Sequence, residues 1–170
     1  MQHRARQHRV MRYKSLAIAG LASAVLAATG LLAGCGLQVP SDPDGTLDRV
    51  TGAVMHAGAS PDAGLVDVSG EDVAGPLPEL VEAFAKEHDA EVEWTVGSEE
   101  SLVIGLERGK LDIVIGGMTT ATPWADRAAV SRGYPEIPGS DGHDIVLLVP
   151  PGENRLLSSL EAFLDEELTR

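Results

Sequence analysis

The sequence predicts an α/β fold, a three-layer domain with a mostly parallel sheet between helices. Three observations predict it. Apolar segments of strand length alternate with amphipathic segments of helix length from Ala53 to Leu168. Two of the strand-length segments, Leu111–Ile115 and Asp144–Val149, are almost wholly apolar, as strands covered on both faces are. The resulting order, β–α–β–α–β–turn–β–α, favours crossovers and parallel pairing.

Each element has its own signal. A first strand is expected over Ala53–Ala57 and is broken by Gly58-Ala59-Ser60-Pro61-Asp62. Val66–Val68 reads as a short strand or a loop arm, and Gly70–Pro76 as loop. A helix is expected over Pro78–His88, because Leu77, Leu80, Val81, Phe84 and Ala85 form one apolar stripe. Pro78 suits its first turn, and Glu79 complements the positive helix start. Glu91–Val96 alternates as a strand does, with Val92, Trp94 and Val96 on one face. Ser98 is the expected cap of a second helix with Glu99 and Glu100 in its first turn, and Gly109 is its stop. Gly116-Gly117 ends the strand Leu111–Ile115. Thr122-Pro123 is read as starting a short helical turn that reaches about Ala129. Pro150-Pro151-Gly152 ends the strand Asp144–Val149, and a last helix runs from Asn154 or Arg155 to Leu168.

Composition narrows the class. The chain has 170 residues, 44 % hydrophobic and 23 % charged, which is too apolar for disorder and long enough for one domain. A single cysteine excludes a disulfide framework or a cysteine-based zinc cluster. The net charge of −13 argues against nucleic acid as a partner, because phosphates would be repelled.

The charge is unevenly divided. Residues 1–34 hold five bases (Arg4, Arg6, Arg9, Arg12, Lys14) and no acid. From Cys35 onward, eight bases face 26 acids, a net −18. The first piece has a basic flank, the uncharged run Ser15–Gly34, and small residues before Cys35, which is the layout of a secretory signal. Met11 would serve as a start equally well, since Arg12 and Lys14 still supply the basic flank. The ending Leu32-Ala33-Gly34-Cys35 resembles the lipobox of bacterial lipoproteins. That resemblance implies cleavage before Cys35 and acylation of its thiol, palmitate being a usual acyl group, so that the chain is held on the extracytoplasmic face of the cell membrane. Two acyl chains anchor stably where one is marginal. A transmembrane helix and an uncleaved anchor are the alternatives to this reading. The chain then divides into a signal peptide (1–34), a lipidated cysteine with a flexible Pro/Gly/Asp tether (35–48) and one α/β domain (49–170).

Between Gly75 and Val130 the chain carries, in order, Gly75, Leu80, Ala83-Phe84-Ala85-Lys86-Glu87, Val92-Glu93-Trp94, Gly109-Lys110, Asp112–Thr119 and Thr122-Pro123. With these residues the segment resembles the first lobe of the family 3 extracytoplasmic solute-binding proteins, the polar amino-acid receptors of ABC importers. Asp144–Leu164 resembles the family's returning strand and C-terminal helix. The resemblance implies one lobe of a type 2 periplasmic binding protein. The second lobe is missing at about 134–143, where only eight residues, Pro135–Gly142, separate Tyr134 from His143. It also implies ligand contacts through hydroxyls after the Gly-Gly strand and through an arginine in the next turn. Thr119 and Thr120 match the hydroxyl positions, whereas the arginine position falls near Ala125, with Arg127 two residues on.

The candidate ligand-binding residues are therefore Ser60, Gly117, Met118, Thr119, Thr120 and Arg127. Most of them lie at the carboxyl end of an expected parallel strand, where open α/β sheets bind ligands. A tight turn with solvated hydroxyls is the competing reading of Gly116–Thr120, and Ser60 and Asp62, which follow the first strand, read equally as lining the same edge or as turn formers. Trp124 reads as packing or as a stacking platform, and Arg127 as a ligand arginine or a partner of a nearby acid. His56, His88 and His143 lack metal-ligand spacing, and no nucleophile or phosphate-loop motif occurs, so no metal, cofactor or enzymatic activity is expected. The expected function is the substrate-binding component of an ABC importer for amino acids or similar small polar solutes. The alternative is an envelope interaction or sensor module without solute binding. The partners implied are a small polar solute, an ABC permease or receptor, the membrane through the lipid, and a second copy in a homodimer that would supply the missing wall.

Overall fold

The computed structural model describes residues 42–170, so the basic segment, the apolar run, Cys35 and most of the tether lie outside the described residues. The described elements follow one another as α1 (Thr46–Val50), β1 (Val54–Ala59), β2 (Asp67–Ser69), β3 (Asp72–Ala74), α2 (Pro76–Glu87) and β4 (Glu91–Val96). Then come α3 (Glu99–Glu107), β5 (Ile113–Ile115), β6 (Ala129–Val130), β7 (Leu148–Val149) and α4 (Asn154–Leu168).

A five-stranded sheet in the order β4-β1-β5-β7-β6 forms the middle layer. β1 pairs in parallel with β4 from Val54↔Glu91 to Ala59↔Val96, and with β5 from Ala57↔Ile113 to Ala59↔Ile115. The pleat sends alternate residues to two cores. Met55, Ala57, Ala59, Ile113, Ile115, Leu147 and Val149 join one, with Leu77, Val81 and Phe84 of α2 and Leu156, Leu160 and Leu164 of α4. Val114, Val146 and Leu148 join the other, with Leu102, Val103 and Leu106 of α3. Gly58 lets α3 approach, since a β-carbon there would sit 2.9 Å from both Leu102 and Leu111.

The parallel expectation holds for β4, β1 and β5, while β7 runs antiparallel to β5 through Val114↔Leu148. No helix crosses the face between them. The chain leaves β5 at the carboxyl edge and returns through Asp144 at that same edge, where Thr120 N–H bonds the Asp144 carbonyl at 3.1 Å. It must therefore run back down. Strand geometry in the expected Asp144–Val149 is confined to Leu148–Val149, although Ile145 bridges both Thr119 and Tyr134.

Four other expectations are corrected. The short strand read at Val66–Val68 is β2, but Gly70–Pro76, read as loop, holds its hairpin partner β3, with Val68 opposite Val73. α2 starts at Pro76 rather than Pro78, because the first helical turn needs no intrahelical N–H donors and so accepts both prolines. Gly75 precedes it at φ 117°, and a β-carbon there would sit 2.8 Å from the Leu65 carbonyl oxygen. The expected helical turn from Thr122 stops early. Arg127 and Ala128 N–H bond the Trp124 carbonyl, and Ala129 then enters β6 to pair with Val149. The tether expected to reach residue 48 gives way earlier to α1, whose Thr46 and Val50 are buried.

Candidate functional site

In a parallel sheet the carboxyl ends of the strands open onto loops whose backbone groups are not yet spent on pairing. Here that edge is built from the ends of β1, β4 and β5. Ser60 N–H bonds the Ile115 carbonyl at 2.9 Å, and Gly97 N–H bonds the Ala59 carbonyl at 3.1 Å, which locks the three strand ends together. Ser60 therefore lies against Gly116, where a β-carbon would come within 3.0 Å of the Ser60 side chain. A β-carbon on Gly117 would collide with the Asp62 carboxylate, which occupies that space. Asp62 is held there by its backbone. Its N–H bonds the Val66 carbonyl, and its own carbonyl accepts the Leu65 and Val66 N–H groups. No described residue hydrogen-bonds or ion-pairs with its side chain, and Asp62 is half-buried.

The structure brings Ser60 and Gly117 together, with Thr119 and Thr120 following along the rim. Thr119 is half-buried and its Oγ1 accepts a long bond from Ala121 N–H at 3.4 Å. Thr120 is exposed and turned toward Gly133 and Asp144. Met118 is only 3 % exposed and belongs to the α3 core, so its side chain is committed to packing and only its backbone borders the rim.

Arg127 is not part of this rim. Its Nε and Nη2 bond both carboxylate oxygens of Glu107 at 2.8 and 2.7 Å. Glu107 is the last residue of α3, about 12 Å along the helix from Glu99 at the rim end. The pair is a bidentate fork, and it holds the Glu107 carboxyl below the ordinary carboxylate range. Trp124 spans the interval. Its indole N–H bonds Glu99 Oε2 at 2.8 Å, and Arg127 lies 5.6 Å from its ring centroid. Trp124 is thus fixed by packing and by Glu99.

The electrostatics of the edge follow from this sorting. Residues 60–75, 97–100 and 116–123 carry Asp62, Asp67, Glu71, Asp72, Glu99 and Glu100, and no lysine, arginine or histidine. Three further arginines are tied down elsewhere. Arg49 bonds Asp112, Arg132 bonds Glu161 and Asp165, and Arg155 bonds Asp48. A cavity of about 430 Å³ lies near the opposite edge, between Thr46, Arg49, Glu107, Arg108 and Pro150, but its Arg49 and Glu107 are already committed to Asp112 and Arg127. Among the described residues no group of three or more His, Cys, Asp or Glu side chains is placed to hold a metal ion. No described helix is long and apolar enough to cross a membrane.

Asp62 is the rim residue that sequence reasoning underweighted. Its signal was the Ser-Pro-Asp turn directly after β1, which does not by itself say where the carboxylate points.

No protein-family model matches the sequence, and no curated protein shows significant similarity to it. Solved structures do resemble the fold. Domain 1 of TmArgBP, from T. maritima, was solved as an arginine-bound point mutant; it superposes with a TM-score of 0.62 at 22 % identity, over 75 % of this chain and 98 % of that one. A Salmonella typhimurium periplasmic binding protein described for high arginine specificity gives 0.56 at 15 % identity, over 69 % and 94 %. An ancestral cationic amino-acid solute-binding protein gives 0.58 at 14 % identity, over 74 % and 93 %. The chain thus has the fold of a single lobe of the periplasmic amino-acid-binding proteins.

Proposed function

We propose that this chain is an extracytoplasmic solute-binding lobe, anchored by lipid at Cys35, that holds a small cationic, amino-acid-like solute at the carboxyl edge of β1 and β5 and hands it to an ABC-type importer. The observation that carries the reading is the Asp62 carboxylate, seated over Gly117 without a described partner, where the loops 60–75, 97–100 and 116–123 carry no basic side chain.

Asp62 offers two acceptor oxygens to an ammonium or guanidinium group. Such charge-assisted bonds are about twice as strong as neutral ones. Gly117 supplies the room for that carboxylate, Ser60 lies beside Gly116, and Thr119 and Thr120 follow along the rim. The net −18 from Cys35 onward draws cations toward the edge and repels anions. The carboxylate end of an amino acid finds no guanidinium here, because Arg127 is spent on Glu107. With one lobe only, the solute stays partly hydrated, so affinity is weak. The likeness to an isolated lobe described as arginine-bound supports solute binding without a second lobe. The Leu-Ala-Gly-Cys ending supports the anchor.

Isothermal titration of the full chain against arginine, lysine and glutamate tests the reading. Heat is expected from both cations at high-micromolar to millimolar concentration and none from glutamate. Asp62→Asn should weaken cation binding roughly tenfold, as expected for the loss of a charged acceptor. Silence toward both cations would refute solute binding at this edge, and equal binding of glutamate would refute the charge assignment.

A further inference from the structure

A buried carboxylate without a donor lies far from the rim, where the described chain begins. Glu153 precedes α4 and is fully buried, which is expensive for a carboxylate unless it is bonded. Its Oε1 accepts the Asp44 N–H at 3.0 Å and its Oε2 the Thr46 N–H at 2.9 Å. One side chain thereby fastens residues more than a hundred positions away in sequence to the start of α4. Pro43 packs over Gly152 beside it, 3.5 Å from where a β-carbon would stand.

Asp42 lies in the same site with its side chain 5 % exposed, and both of its carboxylate oxygens are buried without a hydrogen-bond donor. Arg155 approaches Asp42 at 3.6 Å, beyond hydrogen-bond reach, and gives its short bonds to Asp48 at 2.8 and 3.0 Å. An ionised Asp42 would be a buried anion without a donor, beside a second anion. A proton on Asp42 resolves this, since the carboxylic acid then donates to Glu153 instead of repelling it.

We propose that Asp42 and Glu153 share a single proton, and that this proton clamps the segment Asp42–Thr46 onto the start of α4, so that deprotonation releases the stretch joining the lobe to the preceding chain. The clamp is independent of what the rim binds. It sets whether residues 42–46 are held on the lobe.

The charged groups facing the pair come from two elements. Asp48 of α1 adds negative charge and favours the proton, while Arg155 of α4 opposes it. Arg49 of α1 reaches Thr46 Oγ1 at 3.4 Å, but its short bond goes to Asp112. Burial, followed by the neighbouring Glu153, pushes the Asp42 carboxyl up to about 6. Glu153 is held below its ordinary value despite its own burial, by bonds from Asp42 and from the Asp44 and Thr46 amides. For Asp42, whose folded value is raised, the contribution is full at low pH and is lost as pH rises through about 6. For Glu153, whose folded value is lowered, it is present above the unfolded value and lost as pH falls through the folded one. The clamp is therefore tightest at mildly acidic pH.

Hydrogen exchange of the Asp44 and Thr46 amides in the full chain, corrected for intrinsic rates, tests this. Protection should fall roughly tenfold between pH 5 and pH 7.5, the one unit from pH 5 up to the titration near 6 being a factor of ten, and should be level above it. In Asp42→Asn the amide N–H₂ donates to Glu153 at every pH, so protection should stay high and flat. An unchanged step in that variant, or no step in the wild type, overturns the proposal. Should the variant fail to fold, the infrared carbonyl band of a protonated carboxyl in the wild type decides. It should be present at pH 5 and gone by pH 7.5, and its absence at pH 5 overturns the shared proton.

Discussion

The Asp62 carboxylate fills the volume that any side chain at position 117 would need, so the charge of the rim and the glycine at the end of β5 are one geometric feature. Gly117 is not there for a left-handed turn, since its φ is not among the positive ones. It is there because a carboxylate sits on its α-carbon.

Gly117→Ala should therefore act on binding before it acts on stability. The obstructing atoms are the tip of a half-buried side chain, which can swing away at small cost. The expected result is a thermal midpoint within a few degrees of wild type and a roughly tenfold loss of arginine affinity by titration calorimetry. Retained affinity would mean that the displaced Asp62 carboxylate does not hold the ligand.

Arg127→Ala should leave arginine and lysine affinity within about twofold of wild type, within the range that surface substitutions away from a site produce. Its guanidinium serves Glu107 and the Trp124 ring, at the far end of α3 from the rim. A large loss of affinity would place Arg127 in the site after all, and would restore the arginine role that the family resemblance implies.

Asp112 should matter to folding rather than to binding. Its side chain is 1 % exposed, and it accepts the His56 amide at 2.9 Å and Arg49 at 2.8 Å, joining β1, the start of β5 and α1. Asp112→Ala leaves the His56 N–H without its acceptor and should cost about 1–3 kcal/mol. The measurement is the shift in chemical-denaturation midpoint at unchanged slope. Asp112→Asn, which keeps an acceptor oxygen for His56, should lose less.

What could be read in the chain was what local chemistry dictates. The apolar stripe Leu77-Leu80-Val81-Phe84-Ala85 is one buried face of α2, and Ser98 does accept the Ser101 N–H as a cap, at 3.4 Å. Glu91–Val96 and α4 were legible to within a residue. Thr122–Ala129 was misread because Thr-Pro is a helix-start signal whether or not a helix follows, and here pairing with β7 won over local propensity. The direction of β7 was not legible, because strand pattern carries no sign. Arg127 was placed near the ligand by the family resemblance, two residues past the expected position, but the intervening turns carry it down the flank of α3 to Glu107.

Periodicity, caps and charge segregation suffice to specify strands, helices and an acidic segment behind a basic one, because each depends on neighbours a few residues apart. Which carboxylates stay unspent is decided only by folding. Asp62 is left over since the sheet edge sends every nearby arginine elsewhere, and Asp42 meets Glu153 across more than a hundred residues of chain. Charge pairing inside a protein depends on distances of a few ångströms in a poorly screening medium, and the linear order of residues does not encode those distances.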